Sequence, residues 1–250
     1  MMHNLTYDSA TEDWSPSKKR LFMAWTTHFF TATGAVWGLL AIVAITNEQW
    51  MLAFAWMATA FFVDSFDGLL ARRVRVKEVL PNFDGALLDN MLDFLNYVVV
   101  PAFFLYMADL LPPQMGLVGA GLMLLASSYQ FCQDDAKTDD HYFKGFPSYW
   151  NILVFCLFIL NPNGWVSLAI IAILSVLVFV PIKFVYPSRM TSLQKLTMGL
   201  AFIWGIANLA IMFQYPAHDP WLIWISLLFV IYYNGLSFYY TLRQPKDVSA

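Results

Sequence analysis

Five of the 14 aspartates in the chain fall in the thirty residues from Asp64 to Asp93, within or beside stretches otherwise too apolar to tolerate charge. Carboxylates embedded in a membrane are costly enough that a function is their default explanation. Their order is Asp64-x-x-Asp67-Gly68-x-x-Ala71-Arg72, a gap of twelve residues, then Gly85-x-x-x-Asp89-x-x-x-Asp93. At about 100° per helical residue, Asp64, Asp67, Gly68 and Ala71 share an arc of roughly 100°, and Gly85, Asp89, Asp93 and Asn96 share one of roughly 80°. Two antiparallel helices would then aim four carboxylates at one point. At about 5 Å and an effective dielectric near 20, each like-charge pair costs about 3 kcal/mol, so the four cannot share a site unaided. Two divalent cations cancel four negative charges, and all-oxygen donors favour Mg, Mn or Ca over zinc. A two-metal site commonly serves phosphoryl displacement, stabilising the attacking and the leaving oxygen. The small residues Gly68, Ala71 and Gly85 on the carboxylate faces leave room for a nucleotide, and Arg72 can meet a phosphate. Asp84, off those faces and directly before Gly85, reads as a helix N-cap. A single aspartate at a helix end is ordinarily solvated or capping, but four in register with interleaved small residues are not explained that way.

The elements that must position these groups follow from composition. The chain has 59% hydrophobic, 18% aromatic and 12% charged residues, whereas soluble domains carry roughly 25% charged residues. A soluble globule is excluded. Apolar runs cover Leu21 to Ile45, then 50–70, 86–107, 115–132, 147–160, 165–184, 196–213 and 221–242, with the fifth the weakest. The first exceeds the roughly 7 to 15 residues of a signal-peptide core and is expected to be a retained span. If the amino terminus faces the cytoplasm, all 14 Lys and Arg fall in inside segments, as the positive-inside rule requires. The fold class expected is all-α: a polytopic membrane helical bundle of about eight transmembrane helices with both termini cytoplasmic. Residues 1–20 would form a cytoplasmic segment, 21–243 one transmembrane domain and 244–250 a cytoplasmic tail. A net charge of -3 gives no argument for nucleic acid as a partner. Cys132 and Cys156 read as small buried hydrophobes. His28 reads as a packing residue, and Gly34 and Gly38 as a surface for close helix approach.

The acidic pattern resembles the signature of the CDP-alcohol phosphotransferases, integral membrane enzymes of phospholipid synthesis, and all eight motif positions are filled. The resemblance implies that Asp64, Asp67 and Asp89 are metal ligands, with Asp93 a further ligand and the general base. It places Asp64, Gly68, Ala71, Arg72 and Gly85 around the CDP moiety, and implies divalent metal, Mn or Mg, as two ions. Most members have eight residues between the Arg and the second Gly. The twelve here, Arg73 to Asp84, resemble the bacterial phosphatidylcholine synthase branch. By that resemblance choline attacks CDP-diacylglycerol, giving phosphatidylcholine and CMP, in a bacterial inner membrane with the active site on the cytoplasmic side. The partners implied are CDP-diacylglycerol, choline and membrane lipid, with a homodimer also compatible.

Choline has no N–H to donate, so its pocket needs aromatic faces. Tyr149, Trp150 and Tyr186 beside the cytoplasmic helix ends are the candidates, with His28 or Tyr97 from the core. Lys183 and Arg189 suit either a phosphate or anchoring near anionic lipid. Two rivals stay open at this point. One is the same transfer to serine, glycerol phosphate or an inositol phosphate, and the other is a cation transporter, which also concentrates intramembrane aspartates.

Overall fold

The computed structural model describes residues 16–133, 135–136, 142–187, 190 and 193–243. Arg189, most of the amino-terminal segment and the 244–250 tail lie outside the described residues. Ten α-helices make up most of the described chain: α1 (Lys18–Thr46), α2 (Trp50–Val74), a one-turn α3 (Val76–Val79), α4 (Gly85–Phe94), α5 (Val100–Met107), α6 (Gly116–Cys132), α7 (Trp150–Leu160), α8 (Gly164–Leu177), α9 (Gln194–Gln214) and α10 (Pro220–Leu242). A π-helical turn, Leu95–Val99, joins α4 to α5 without a break. Gly85–Met107 is therefore one span of 23 residues.

Five helical segments are long and apolar enough to cross a membrane: α1, α2, Gly85–Met107, α9 and α10. The other three apolar helices, α6, α7 and α8, have 17, 11 and 14 residues. At 1.5 Å per residue they rise about 26, 17 and 21 Å, less than the roughly 30 Å of hydrocarbon in a bilayer. Eight apolar helical segments thus stand where eight spans were expected, but only five reach across by length alone.

Two expected boundaries are corrected. The sixth run was expected to continue to residue 184, yet α8 ends at Leu177, and Lys183–Val185 is a strand, β2. Pro181 has no N–H to extend a helix. The end of α8 is instead met by the approaching chain: Phe146 N–H donates to Leu177 O at 3.0 Å and Gly145 N–H to Ile182 O at 2.8 Å. Gly145 has φ 81°, and a Cβ there would lie 2.2 Å from Val178 O, so no other residue fits this crossing. The fifth run was expected from residue 147, but the helix begins at Trp150.

A second strand, β1 (Tyr142–Lys144), pairs with β2 antiparallel, with Phe143 opposite Phe184. This small sheet is a departure from an all-α bundle. Its far edge is closed by a helix rather than a strand. Lys183 N–H donates to Thr241 Oγ1 at 2.9 Å, Val185 N–H donates to Ser237 Oγ at 3.2 Å, and the Tyr233 hydroxyl donates to Val185 O at 2.9 Å. Tyr233, Ser237 and Thr241 stand four apart on α10, one stripe of a helix face. They satisfy backbone groups that would otherwise be orphaned.

The core sits where α2, the π turn, α5, α6 and α7 meet, with Val98, Phe104, Leu105, Met123, Trp150 and Val154 fully buried. The face that α1 presents to its neighbours is built of small residues, including Ala24, Thr31, Gly34, Gly38 and Ala41. Gly34 and Gly38 bear out the close approach expected of them. A Cβ on Gly38 would lie 2.7 Å from Asn96 Oδ1, and one on Gly34 would touch Leu92. Without a hydrophobic force between helices in lipid, such contact is what holds them together. Phe22, Phe202, Phe213 and Leu242 are exposed on the outside of the bundle, as lipid-facing positions should be.

Candidate active site

Asp64 and Asp67 project from α2, with Gly68, Ala71 and Arg72 one turn further along. Asp84 caps α4, its Oδ1 accepting from Ala86 N–H at 3.1 Å and Leu87 N–H at 2.9 Å. That cap fixes where the helix starts, and so which face Asp89 and Asp93 occupy.

One carboxylate oxygen each from Asp64, Asp89 and Asp93 lies within 4.8 Å of the others. Asp67 lines the same small cleft together with Thr31 of α1, Gly34 and Asn96, but it is more deeply buried, with 5% exposure. All four expected carboxylates converge, three as a tight group and the fourth against α1. The donor set suits a hard divalent cation. Mg–O distances near 2.1 Å put opposite ligand oxygens about 4.2 Å apart, close to the spacing already present, and among the described residues no His or Cys joins the group to favour zinc.

The small residues have distinct reasons. A Cβ on Gly68 would meet only Arg72 Nη1, at 3.4 Å, so Gly68 leaves the helix surface open beside an exposed arginine that makes no ion pair among the described residues. A Cβ on Gly85 would stand 2.5 Å from His28 Cε1. The imidazole fills the space beside Gly85, packs on Phe83 at 4.4 Å between centroids, and its buried Nε2 has no hydrogen-bond partner among the described residues. Ala71 packs against the apolar cluster of Ala24, Val76 and Val79.

Two neighbours of Asp93 on the π turn face opposite ways. Asn96 turns to α1, its Nδ2 donating to Gly34 O at 3.1 Å and to Leu92 O at 3.0 Å. Tyr97 turns to α2, its hydroxyl donating to Asp64 Oδ2 at 2.7 Å. The helical wheel put Asn96 on the carboxylate face, and it lines the cleft with the four aspartates; the Tyr97 bond joins two spans, which a wheel of one helix does not show.

Of the acceptor candidates, Tyr97 bonds to Asp64 directly, and Tyr149 lies within electrostatic range of Asp64 and Asp93. Phe143 links it to Tyr186, with ring centroids at 6.2 and 4.9 Å, and Tyr233 of α10 stands 6.3 Å from it. Tyr233 carries no motif and was not singled out in the sequence. Trp150 does not join this group. It is fully buried, its indole N–H donates to Ser127 Oγ at 2.6 Å, and its ring packs on Phe146. Lys183 Nζ lies 5.5 Å from the Tyr142 ring centroid.

An acidic cleft at the junction of two apolar helices, flanked by an open glycine and an arginine, suits metal-assisted transfer of a phosphoryl group. The family profile described as CDP-alcohol phosphatidyltransferase matches residues 25–181, so the chain belongs to that family. Among its relatives, the phosphatidylcholine synthase of Legionella pneumophila is 42% identical over 227 residues, covering 88% of this chain and 89% of its own length. That of Legionella bozemanae is 41% identical over 211 residues, covering 82% and 97%. That of Pseudomonas aeruginosa is 35% identical over 221 residues, covering 88% and 93%. The protein is a phosphatidyltransferase enzyme of phospholipid biosynthesis, with transmembrane helices. Membership in an enzyme family sets the transporter reading aside.

Proposed function

We propose that the protein transfers the phosphatidyl group of CDP-diacylglycerol to choline, yielding phosphatidylcholine and CMP. The observation that carries this reading is the convergence of Asp64, Asp89 and Asp93 on one point, with Asp67 in the same cleft. Asp64, Asp67, Asp89 and Asp93 would hold divalent ions, Mn or Mg. Such ions, when bound, neutralise charge on the diphosphate. Asp93 takes the proton of the acceptor hydroxyl, whose pKa far above 7 demands a nearby base. The oxygen then forms a bond to the phosphorus that bears the diacylglycerol, and the bond from that phosphorus to CMP breaks. Arg72, exposed beside Gly68, pairs with a phosphate of the nucleotide, and the open surface at Gly68 admits it. Asp64 borders the nucleotide from the same helix.

Choline as acceptor draws support from the relatives, which are phosphatidylcholine synthases, and from the aromatic group beside the acids. Tyr149, Tyr186, Tyr233 and Phe143 supply ring faces to a quaternary ammonium, each contact contributing about 0.5 to 2 kcal/mol. Trp150 is left out because its indole is held in the core. Lys183 and Arg189 are assigned to lipid phosphate. The one-sided distribution of Lys and Arg supports a multi-pass protein of the bacterial inner membrane, with residues 21–243 as its single catalytic domain and the acids at the cytoplasmic face.

The test is to supply purified protein with CDP-diacylglycerol and Mn or Mg, then with choline, serine, glycerol phosphate or an inositol phosphate in turn, and to measure CMP release. Choline-dependent release with phosphatidylcholine as the lipid product is the expected result. Faster release with another acceptor overturns the choline assignment.

A further inference from the structure

We infer that Tyr97 is a positioning residue that sets the orientation of the Asp64 carboxylate for metal. The inference rests on the metal reading of the site given above. Its observations are separate. The Tyr97 hydroxyl has one proton and donates it to Asp64 Oδ2 at 2.7 Å, across 33 positions of sequence and from one span to another. The bond is absent from any motif, and it fixes one oxygen of Asp64 while the carboxylate stands in the group with Asp89 and Asp93. A carboxylate that must turn one oxygen toward a cation gains orientation from a donor on the other, and partners of this kind typically matter 10- to 100-fold in metal affinity.

The backbone explains how the donor arrives. Val100 N–H bonds to Leu95 O, five residues back, which inserts one extra residue into the turn. Asp89, Asp93 and Tyr97, four apart, share one stripe of the span, which the π turn widens at Tyr97, while Asn96 donates to Gly34 O. Pro101 at the start of α5 supplies the cause. In an unbroken α-helix Pro101 would face the Tyr97 carbonyl, to which it cannot donate and against which its ring clashes. Widening the preceding turn removes the conflict, and π turns of this kind recur at functional sites.

The test is a Mn titration of the purified full-length protein in detergent without nucleotide, with free Mn followed by electron paramagnetic resonance. Tyr97→Phe should bind Mn about 10- to 100-fold more weakly than wild type, with its metal-free melting temperature near wild type. In an Asp64→Asn background the same substitution should change Mn affinity no further. Unchanged affinity in Tyr97→Phe, or an equal loss in the Asp64→Asn background, overturns the inference while the metal reading stands. Collapse of the metal-free variant makes Tyr97 a structural residue and overturns it also. Failure of the wild-type protein to bind Mn overturns the metal reading itself, and this inference with it.

Discussion

Asp93 and Asp67 line one cleft but have different neighbours, and substitution should separate them. Asp93→Asn keeps size and removes the proton acceptor, so turnover should fall about 100-fold or more while the protein still binds CDP-diacylglycerol in a lipid-overlay or calorimetric assay. Asp64→Asn, Asp67→Asn and Asp89→Asn should each weaken Mn binding as well as turnover, and chelator should abolish activity until Mn or Mg is restored. Full activity in chelator would refute a metal role. A second pair tests Gly85. Gly85→Ala should destabilise the protein by about 1 to 3 kcal/mol through overpacking against His28, and His28→Ala should recover part of the loss in a melting experiment. The four carboxylates and the Asp84 cap were legible in sequence because acids in an apolar run have few reasons to be there. The partners of the small residues were not: Gly85 accommodates an imidazole 57 positions earlier and Ala71 packs in an apolar cluster, and only tertiary structure brings those groups together.

The helices were legible as apolar runs, and their ends were not, because hydropathy does not distinguish helix from strand or extended chain. Val178, Phe179 and Val180 look like a continuation of α8, yet the chain leaves the helix and enters β2. The sheet joins two three-residue strands some forty positions apart, too short and too distant to show any period. The π turn was hidden for a similar reason, although Pro101 within an apolar run was its available signal. Pro101→Ala should let the span close toward α-helical bonding and move the phenol of Tyr97 away from Asp64. The expected outcome is weaker Mn binding with a melting temperature unchanged or raised, since a helical proline has been removed. A lower melting temperature with normal Mn affinity would show that proline does not set the turn.

Across the whole molecule, the positions between helices offer a test of sidedness. Reporter fusions at Glu48, Asp109, Asn163 and His218 should indicate the side opposite to fusions at Lys77 and Lys195. Asn163 is the sharpest point, because α7 and α8 flank it and are both short. A signal there matching Lys77 would mean that this pair enters and leaves by one face. Aromatic contacts carry the terminal hairpin to the site: Tyr233 of α10 stands beside Tyr149, so Tyr186→Ala and Tyr233→Leu, which remove ring faces, should raise the KM for choline several-fold and leave that for CDP-diacylglycerol near wild type. Equal changes in both would point to general loosening.

The hydroxyl stripe on α10 has a consequence for time as well as for shape. The amides of Lys183 and Val185 are held by side chains 58 and 52 positions further along the chain, so neither can exchange its proton for deuterium until the last helix steps away. Deuterium uptake at those two amides therefore counts the openings of the terminal hairpin, with Ser237→Ala as the calibration that speeds Val185 alone. Uptake that slows when choline is added would tie the rate of those openings to occupancy of the acceptor side.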